Sequence, residues 1–204
     1  MAYNTLGKAL AIVAVAIVGI PLFANGQTRD GPFGVTMGSH VGAYTACKAT
    51  KSSGMYSCDS LPRMHPDFES YVIQYHPSAG VCWVKGIGRT MRVSRYGSEL
   101  QSKVDEINAQ LNTKYGKSKN TSFLRSGALW KENHDFMMAL RQKERFYSYT
   151  FDASSGMQRV DGVRSIFVAA AALSDSQGYV VVEFSFDNEK QCDEAIKGDS
   201  GKAF

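Results

Sequence analysis

The sequence lacks the short motifs that identify common enzyme classes. It has no C-x-x-C pair, which argues against a thiol–disulfide oxidoreductase. It also has no Gly-x-Ser-x-Gly elbow, and Gly86-Ile87-Gly88 lacks the third glycine and the following helix of a dinucleotide-binding loop. These absences favour a non-catalytic protein, and we expect no cofactor and no bound metal ion.

A strong charge imbalance is also absent. The chain has 23 Lys and Arg residues against 19 Asp and Glu residues, a formal net charge of +4. Dedicated nucleic-acid-binding domains carry a much larger excess of positive charge. We therefore expect no nucleic-acid partner.

Long apolar runs are missing except at the N-terminus. Lys8 provides a positive start, Ala9 to Ile20 is an unbroken run of small and aliphatic residues, and Ala24 offers a small residue for cleavage. These are the parts of a secretory signal. The alternative is a retained anchor, but a bilayer span needs about 20 apolar residues, and this run reaches that length only with its flanks.

The resulting division of the chain has three parts. We predict a signal peptide over residues 1–24, a flexible leader over 25–32 and a single domain over 33–204, located in the periplasm or secreted. No stable membrane span is expected after cleavage. The length that remains, about 180 residues, suits one hydrophobic core.

Four cysteines remain after the predicted cleavage site: Cys47, Cys58, Cys82 and Cys192. An even number in an exported chain favours disulfides, although four cysteines allow three pairings and free buried thiols are the alternative. We predict Cys47 with Cys58, which closes a short loop. Cys82 with Cys192 would then join a strand to the last helix.

The clearest periodic element is a helix over Ser98 to Tyr115. Its apolar residues recur at steps of three and four, Ser98 and Gln101 form a capping box, and Gly116 stops it. Alternating apolar residues predict one hairpin from Phe68–Tyr75 and Val81–Ile87.

The other predicted elements complete an α+β pattern. They are a helix over 41–48, a strand over 55–59, a helix over 133–142, a strand over 145–151, a hairpin from 164–173 and 179–186, and a helix over 188–197. We expect an antiparallel sheet with helices packed on one face. A duplicated helix-three-strand-helix unit, with halves 39–115 and 133–197, is a further hypothesis.

Three short segments carry a resemblance to known proteins. Gly31-Pro32-Phe33-Gly34-Val35-Thr36-Met37-Gly38, Tyr96-Gly97-Ser98-Glu99-Leu100 and Lys114-Tyr115-Gly116-Lys117 resemble segments of small secreted bacterial proteins. The repeated helix-and-strand plan is similar to that of the β-lactamase-inhibitor-protein-like superfamily. That resemblance implies a protein that acts by binding other proteins, and it carries over no functional residue.

The residues suited to catalysis are few. His65, Asp67 and Glu69 form the only local group of histidine and carboxylates, which makes an envelope hydrolase one alternative function. Their spacing matches no reliable set of metal ligands, and a polar turn is the simpler interpretation.

The residues suited to binding are more numerous. Trp130 and Arg125 lie in an apolar loop-like stretch, and Trp and Arg are enriched in interface hot spots, although such a loop can equally fold back into the core. Arg89, Arg92 and Arg95 follow one another closely, and a solvated surface is the alternative interpretation for them. We predict a non-catalytic binding protein, an inhibitor or an assembly factor, that presents one sheet face or this loop to a protein partner in the envelope. A polyanion-binding surface protein is a further alternative. The sequence does not determine the oligomeric state.

Overall fold

A single antiparallel sheet organises the chain. The computed structural model describes residues 31–201, which form nine strands and three α-helices. The strands are β1 (Cys47–Ala49), β2 (Met55–Cys58), β3 (Phe68–His76), β4 (Gly80–Gly88), β5 (Met91–Arg92), β6 (Lys119–Leu124), β7 (Arg145–Phe151), β8 (Val163–Ala172) and β9 (Gln177–Phe186). The helices are α1 (Ser98–Tyr115), α2 (Phe136–Arg141) and α3 (Glu189–Gly201). The predicted α+β class with an antiparallel sheet is confirmed.

The order of the strands divides the sheet into two meanders. It runs β1-β2-β3-β4-β9-β8-β7-β6, and the short β5 pairs with β9. The meanders therefore meet at the β4–β9 pair, and β1 and β6 form the outer edges. The predicted order of helix, three strands and helix occurs as α2, β7, β8, β9 and α3. In the first half the predicted order is wrong, because five strands, β1 to β5, precede α1, and within the described residues no α-helix precedes these strands.

One face of the sheet is covered by α1 and α2. Ile73 pairs with Val84, Val84 with Phe184, and Phe184 with Ile166, so these four residues form a row across the sheet. Directly paired residues share a face. All four are buried, as are Leu100, Val104, Ile107 and Tyr115, which form the inner stripe of α1.

The opening segment of the domain closes one end of this core. The ring of Phe33 lies 4.8 Å from that of Tyr71 and 5.7 Å from that of Phe184. It sits directly over Gly86, where an added Cβ would come within 2.9 Å of the ring. Gly86 is therefore a glycine that close packing requires, near the end of strand β4. Gly31 and Pro32, assigned above to the flexible leader, are buried. The predicted signal peptide lies outside the described residues.

The third helix lies against the opposite side of the sheet. Gln74, which alternates with Ile73 along β3, donates a hydrogen bond from its side chain to Asp193 of α3 at 2.8 Å. Ser185, on β9, donates from its hydroxyl to Glu189 at 2.8 Å. Because Trp83 pairs with both Gln74 and Ser185, these two contacts of α3 lie along one row near the end of its face.

Both predicted disulfides are present. Cys47 and Cys58 are directly opposite each other on β1 and β2, and Cys82 of β4 is bonded to Cys192 of α3. Disulfides persist in oxidising compartments, so the pair of bridges fits an extracytoplasmic protein.

Two local predictions are wrong. The helix expected over 41–48 is a single 3-10 turn at Val41–Ala43 followed by β1, because Cys47 and Lys48 pair with β2 instead. The capping box at Ser98 is also wrong. Gly97 is the N-cap residue, and Glu99 accepts hydrogen bonds from the backbone N–H and the hydroxyl of Ser94.

Two tyrosines of β7 are anchored to α1 through one carboxylate. The hydroxyls of Tyr147 and Tyr149 donate to the same oxygen of Asp105, at 2.7 and 2.9 Å. Partial burial is the main factor that raises the pKa of both phenols above its usual range, and the hydrogen bonds to Asp105 add to it.

This pKa shift predicts a loss of stability in alkali. The folded state holds both phenols neutral, whereas the unfolded chain ionises them near their usual pKa of about 10, so ionisation favours unfolding as the pH rises above that value. The free energy of unfolding, measured with denaturant at about pH 8 and about pH 11, should fall less in a Tyr147→Phe/Tyr149→Phe variant than in the wild type. An equal fall in both proteins would contradict this assignment.

Candidate functional site

The side of the sheet opposite α1 and α2 carries an aromatic surface. Ser148 pairs with Ala169 and Ala169 with Val181, which defines a second face that alternates with the covered one. By the same alternation, this face bears the residues that we call the open face: Phe123, Phe146, Phe167, Leu173, Tyr179 and Val181. The helix on this side, α3, packs mainly on β3 and β4, and it reaches β8 through the ion pair of Glu189 with Arg164.

Several apolar side chains of the open face are exposed to solvent. Phe123 is 49% exposed, Leu173 48% and Phe167 39%. Phe123 stacks on Phe146 across the β6–β7 pair, with ring centroids 5.9 Å apart. Between the rows of Phe123 and Phe167, the residues Ser148, Ala169 and Val181 of the same face are buried. Exposed apolar side chains grouped on one side of a folded domain commonly mark an interaction site.

Two of the predicted binding arginines lie at one end of this face. The N–H of Arg125 donates to the carbonyl of Glu144 at 2.7 Å, which extends the β6–β7 ladder by one residue. Its guanidinium lies 5.9 Å from the ring of Phe146, a cation–π contact. Arg92 pairs with Gln177 at the start of β9 and is exposed. The end of β6 and the start of β9 lie at the same end of the sheet. Arg92 and Arg125 therefore lie on either side of the open face at that end.

The other predicted binding residues are directed elsewhere. Arg95 forms an ion pair with Asp135 at 3.6 Å, beside α2. Arg89 donates from Nε to the carbonyl of Pro66 at 2.9 Å. Trp130 is partly buried, and its backbone N–H donates to the carboxylate of Glu144 at 3.0 Å. Its neighbour Leu129 is 81% exposed.

The far end of the open face is polar. Lys85 and Glu183 form an ion pair at 2.9 Å beside Phe167. Beyond it lies a groove of about 690 Å³, whose lining includes Thr150 and Ser165. Two arginines also line this groove, Arg159 and Arg164, and they form ion pairs with Asp187 and Glu189. The face thus combines an apolar centre with charged ends.

The alternative hydrolase residues do not converge on a free base. His65 accepts the N–H of Asp67 at Nδ1 (3.2 Å), and its Nε2 lies 3.0 Å from the side-chain oxygen of Gln110. An amide oxygen only accepts, so Nε2 carries the proton, and both ring nitrogens are occupied. Oδ2 of Asp67 lies 3.9 Å from Nδ1 of His65, and its Oδ1 lies 3.6 Å from Nζ of Lys103. Glu69 is exposed and forms no ion pair with His65. Within residues 31–201, no group of three His, Cys, Asp or Glu side chains is arranged to hold a metal ion.

Comparison with known proteins gives no further assignment. No family model, no curated protein and no solved structure matches this chain. Over the described range, no helix has both the length and the apolar character needed to cross a membrane.

The sequence reading missed the strand that completes the open face. β6, Lys-Asn-Thr-Ser-Phe-Leu, is exposed at five of its six residues and has no alternating apolar pattern. A strand that buries neither face leaves no period-two signal. The threonine and phenylalanine in the run were the only local indication of a β structure.

Proposed function

We propose that this chain is a non-catalytic binding protein of the cell envelope, periplasmic or secreted, that binds a protein partner through the open face. The observation that supports this most directly is the exposure of Phe123, Phe167 and Leu173 on the side of the sheet opposite α1 and α2. Aromatic residues and arginine are enriched in protein interfaces, and Arg125 contacts Phe146 at one end of this face.

The partner's chemistry follows from the surface that it would cover. An apolar centre requires a partner with apolar side chains, since burial of apolar area drives association. Arg92 and Arg125 form no ion pair with another described residue. Acidic groups on the partner would complement them and fix its orientation. The proposed partner is therefore a protein with an apolar patch bordered by carboxylates.

A capture experiment with matched variants tests this proposal. The protein, tagged at the C-terminus, would be incubated with native envelope extract of the source organism at low and high salt. We expect one stoichiometric protein to be retained by the wild type and lost from a Phe123→Ala/Phe167→Ala variant. The control is Met64→Ala/Tyr96→Ala, which removes side chains that are 54% and 58% exposed on other surfaces.

The outcomes separate the functional alternatives. Equal retention by both double variants, or no retained protein at either salt, would contradict a binding role for the open face. Retention that is lost steeply with salt and is insensitive to both double variants would instead support the polyanion-binding alternative, because screening weakens exposed charge interactions. Thermal unfolding of each variant identifies any loss that comes from misfolding.

A further inference from the structure

The outer edge of β6 has unpaired backbone groups. In an antiparallel ladder, alternate residues direct both the N–H and the C=O toward the same neighbouring strand. Arg125 bonds to Glu144 of the neighbouring chain segment, so Phe123 and Thr121 also face β7. Asn120, Ser122 and Leu124 therefore direct their N–H and C=O groups away from the sheet. Among residues 31–201, no other strand pairs with this edge.

Such an edge is a template for another strand, and its charges restrict which strand can bind. Lys119 and Arg125 lie at its two ends, and neither forms an ion pair within 4 Å of another described residue. The nearest carboxylate effect is at Asp152, whose pKa is lowered mainly by the hydrogen bond from Ser154 and further by the positive charge of Lys119. Residues 116–145, which contain β6, have seven Lys or Arg residues and three Asp or Glu residues, a net charge of +4. The net positive charge of this segment thus equals that of the whole chain.

The charges disfavour a second copy of the chain at this edge. Antiparallel pairing of β6 with β6 of another copy would bring Lys119 close to the partner copy's Leu124 and Arg125, and parallel pairing would align lysine with lysine. Like charges at paired positions are destabilising. Carboxylates at the same positions would be attracted instead, so the favoured occupant is acidic.

We infer that the β6 edge binds an acidic, extended segment of the protein partner as an additional strand of the sheet. This inference rests on the proposed function, because the same partner would then cover Phe123 on the open face. Backbone hydrogen bonds to Asn120, Ser122 and Leu124 would supply the pairing, and Lys119 and Arg125 would select carboxylates. The side chains of the added strand that share the open face would lie opposite Lys119, Thr121, Phe123 and Arg125.

A designed peptide tests this edge without knowledge of the natural partner. In the antiparallel direction, a capped peptide of sequence Glu-Ser-Val-Ser-Thr-Ser-Glu places glutamates opposite Arg125 and Lys119 and valine opposite Phe123. The matched control has lysine in place of both glutamates. Binding of each to the folded, ¹⁵N-labelled protein would be followed by NMR. We expect the acidic peptide to bind at least about tenfold more tightly than the basic one.

A proline at the edge separates strand addition from simple charge attraction. Ser122→Pro removes an N–H that faces away from the sheet, which an edge strand tolerates, whereas Ser122→Ala keeps that N–H. We expect the proline variant to lose most of the binding and the alanine variant to keep it. In the wild type, the largest amide shifts should be those of Asn120, Ser122 and Leu124. These shifts give an independent test if the proline variant does not fold.

Several results would overturn the inference. They are equal binding of the two peptides, shifts confined to other parts of the protein, no detectable binding at millimolar peptide, or full binding by a folded Ser122→Pro variant. The result also separates this inference from the proposed function. A captured partner that depends on Phe123 and Phe167 but not on Ser122 would support the open face alone. Peptide binding without any captured partner would support only the edge.

Discussion

We expect the replacement of Cys82 and Cys192 with alanine to lower the free energy of unfolding more than the replacement of Cys47 and Cys58 does. The two cysteines are separated by 110 residues, whereas Cys47 and Cys58 are separated by 11. A cross-link stabilises mainly by restricting the unfolded chain, and this effect grows with the loop it closes. We therefore expect a loss of about 5 kcal/mol for the first pair and about 3 kcal/mol for the second.

Denaturant unfolding without reductant measures both losses. The Cys47→Ala/Cys58→Ala variant is the matched control, because it removes a bridge of the same chemistry with a much shorter loop. A total stability of 5–15 kcal/mol is typical of single domains, so the Cys82→Ala/Cys192→Ala protein could be partly unfolded at 25 °C. Equal losses in the two variants would show that loop entropy does not govern these bridges.

Gly80→Ala is expected to cost about 3–5 kcal/mol, as the sum of left-handed backbone strain, overpacking and weakened hydrogen bonds. Gly80 begins β4 with φ +73°, a conformation that favours glycine. An added Cβ would lie 2.1 Å from the carbonyl oxygen of Gly38 and 2.5 Å from its Cα. Both contacts are with backbone, so the 37–39 segment would have to move. That movement would strain its hydrogen bonds to Val81, which are 2.8 and 2.9 Å long.

Gly127→Ala separates the two causes of this loss. Gly127 has φ +78°, but no atom lies within 4 Å of the position that a Cβ would occupy. Its substitution should therefore cost only the backbone strain, about 1–2 kcal/mol. Thermal and denaturant unfolding of both variants provides the comparison. If Gly80→Ala lowers the free energy of unfolding no more than Gly127→Ala does, the segment around Gly38 moves away from the added Cβ without a measurable loss of stability.

The strongly periodic elements were predictable because their pattern reflects one buried side. The apolar stripe of α1 and the alternating apolar residues of β3, β4 and β9 coincide with the buried residues of these elements in the structure. The disulfide pairing was also predicted, from loop length and position. By contrast, the segment 41–48 has residues compatible with a helix, and only its pairing with β2 makes Cys47 and Lys48 a strand. Tertiary contacts of this kind override weak local preference.

The candidate site was predictable only in outline. Arg125 was chosen from the sequence because it lies near Trp130 in an apolar loop-like stretch, yet its importance in the structure comes from contact with Phe146 on the next strand. Arg89 and Arg95 belong to the same basic group in sequence, but the fold directs them to Pro66 and Asp135. Basic residues that are close in sequence can therefore lie in different parts of the fold, and their spacing does not show which face of the sheet each one occupies.

By itself, the sequence determined the α+β class, the main helix and the two long hairpins, because local periodicity leaves direct marks on residue order. The cysteine pairing was one of three that the sequence allowed. The tertiary structure alone decided that two meanders join at β4 and β9, that β6 forms an exposed edge, and that Phe123, Phe146 and Phe167 share an uncovered face. These features depend on pairing between residues far apart in the chain. An exposed edge strand buries too little surface to impose a pattern on its own residues.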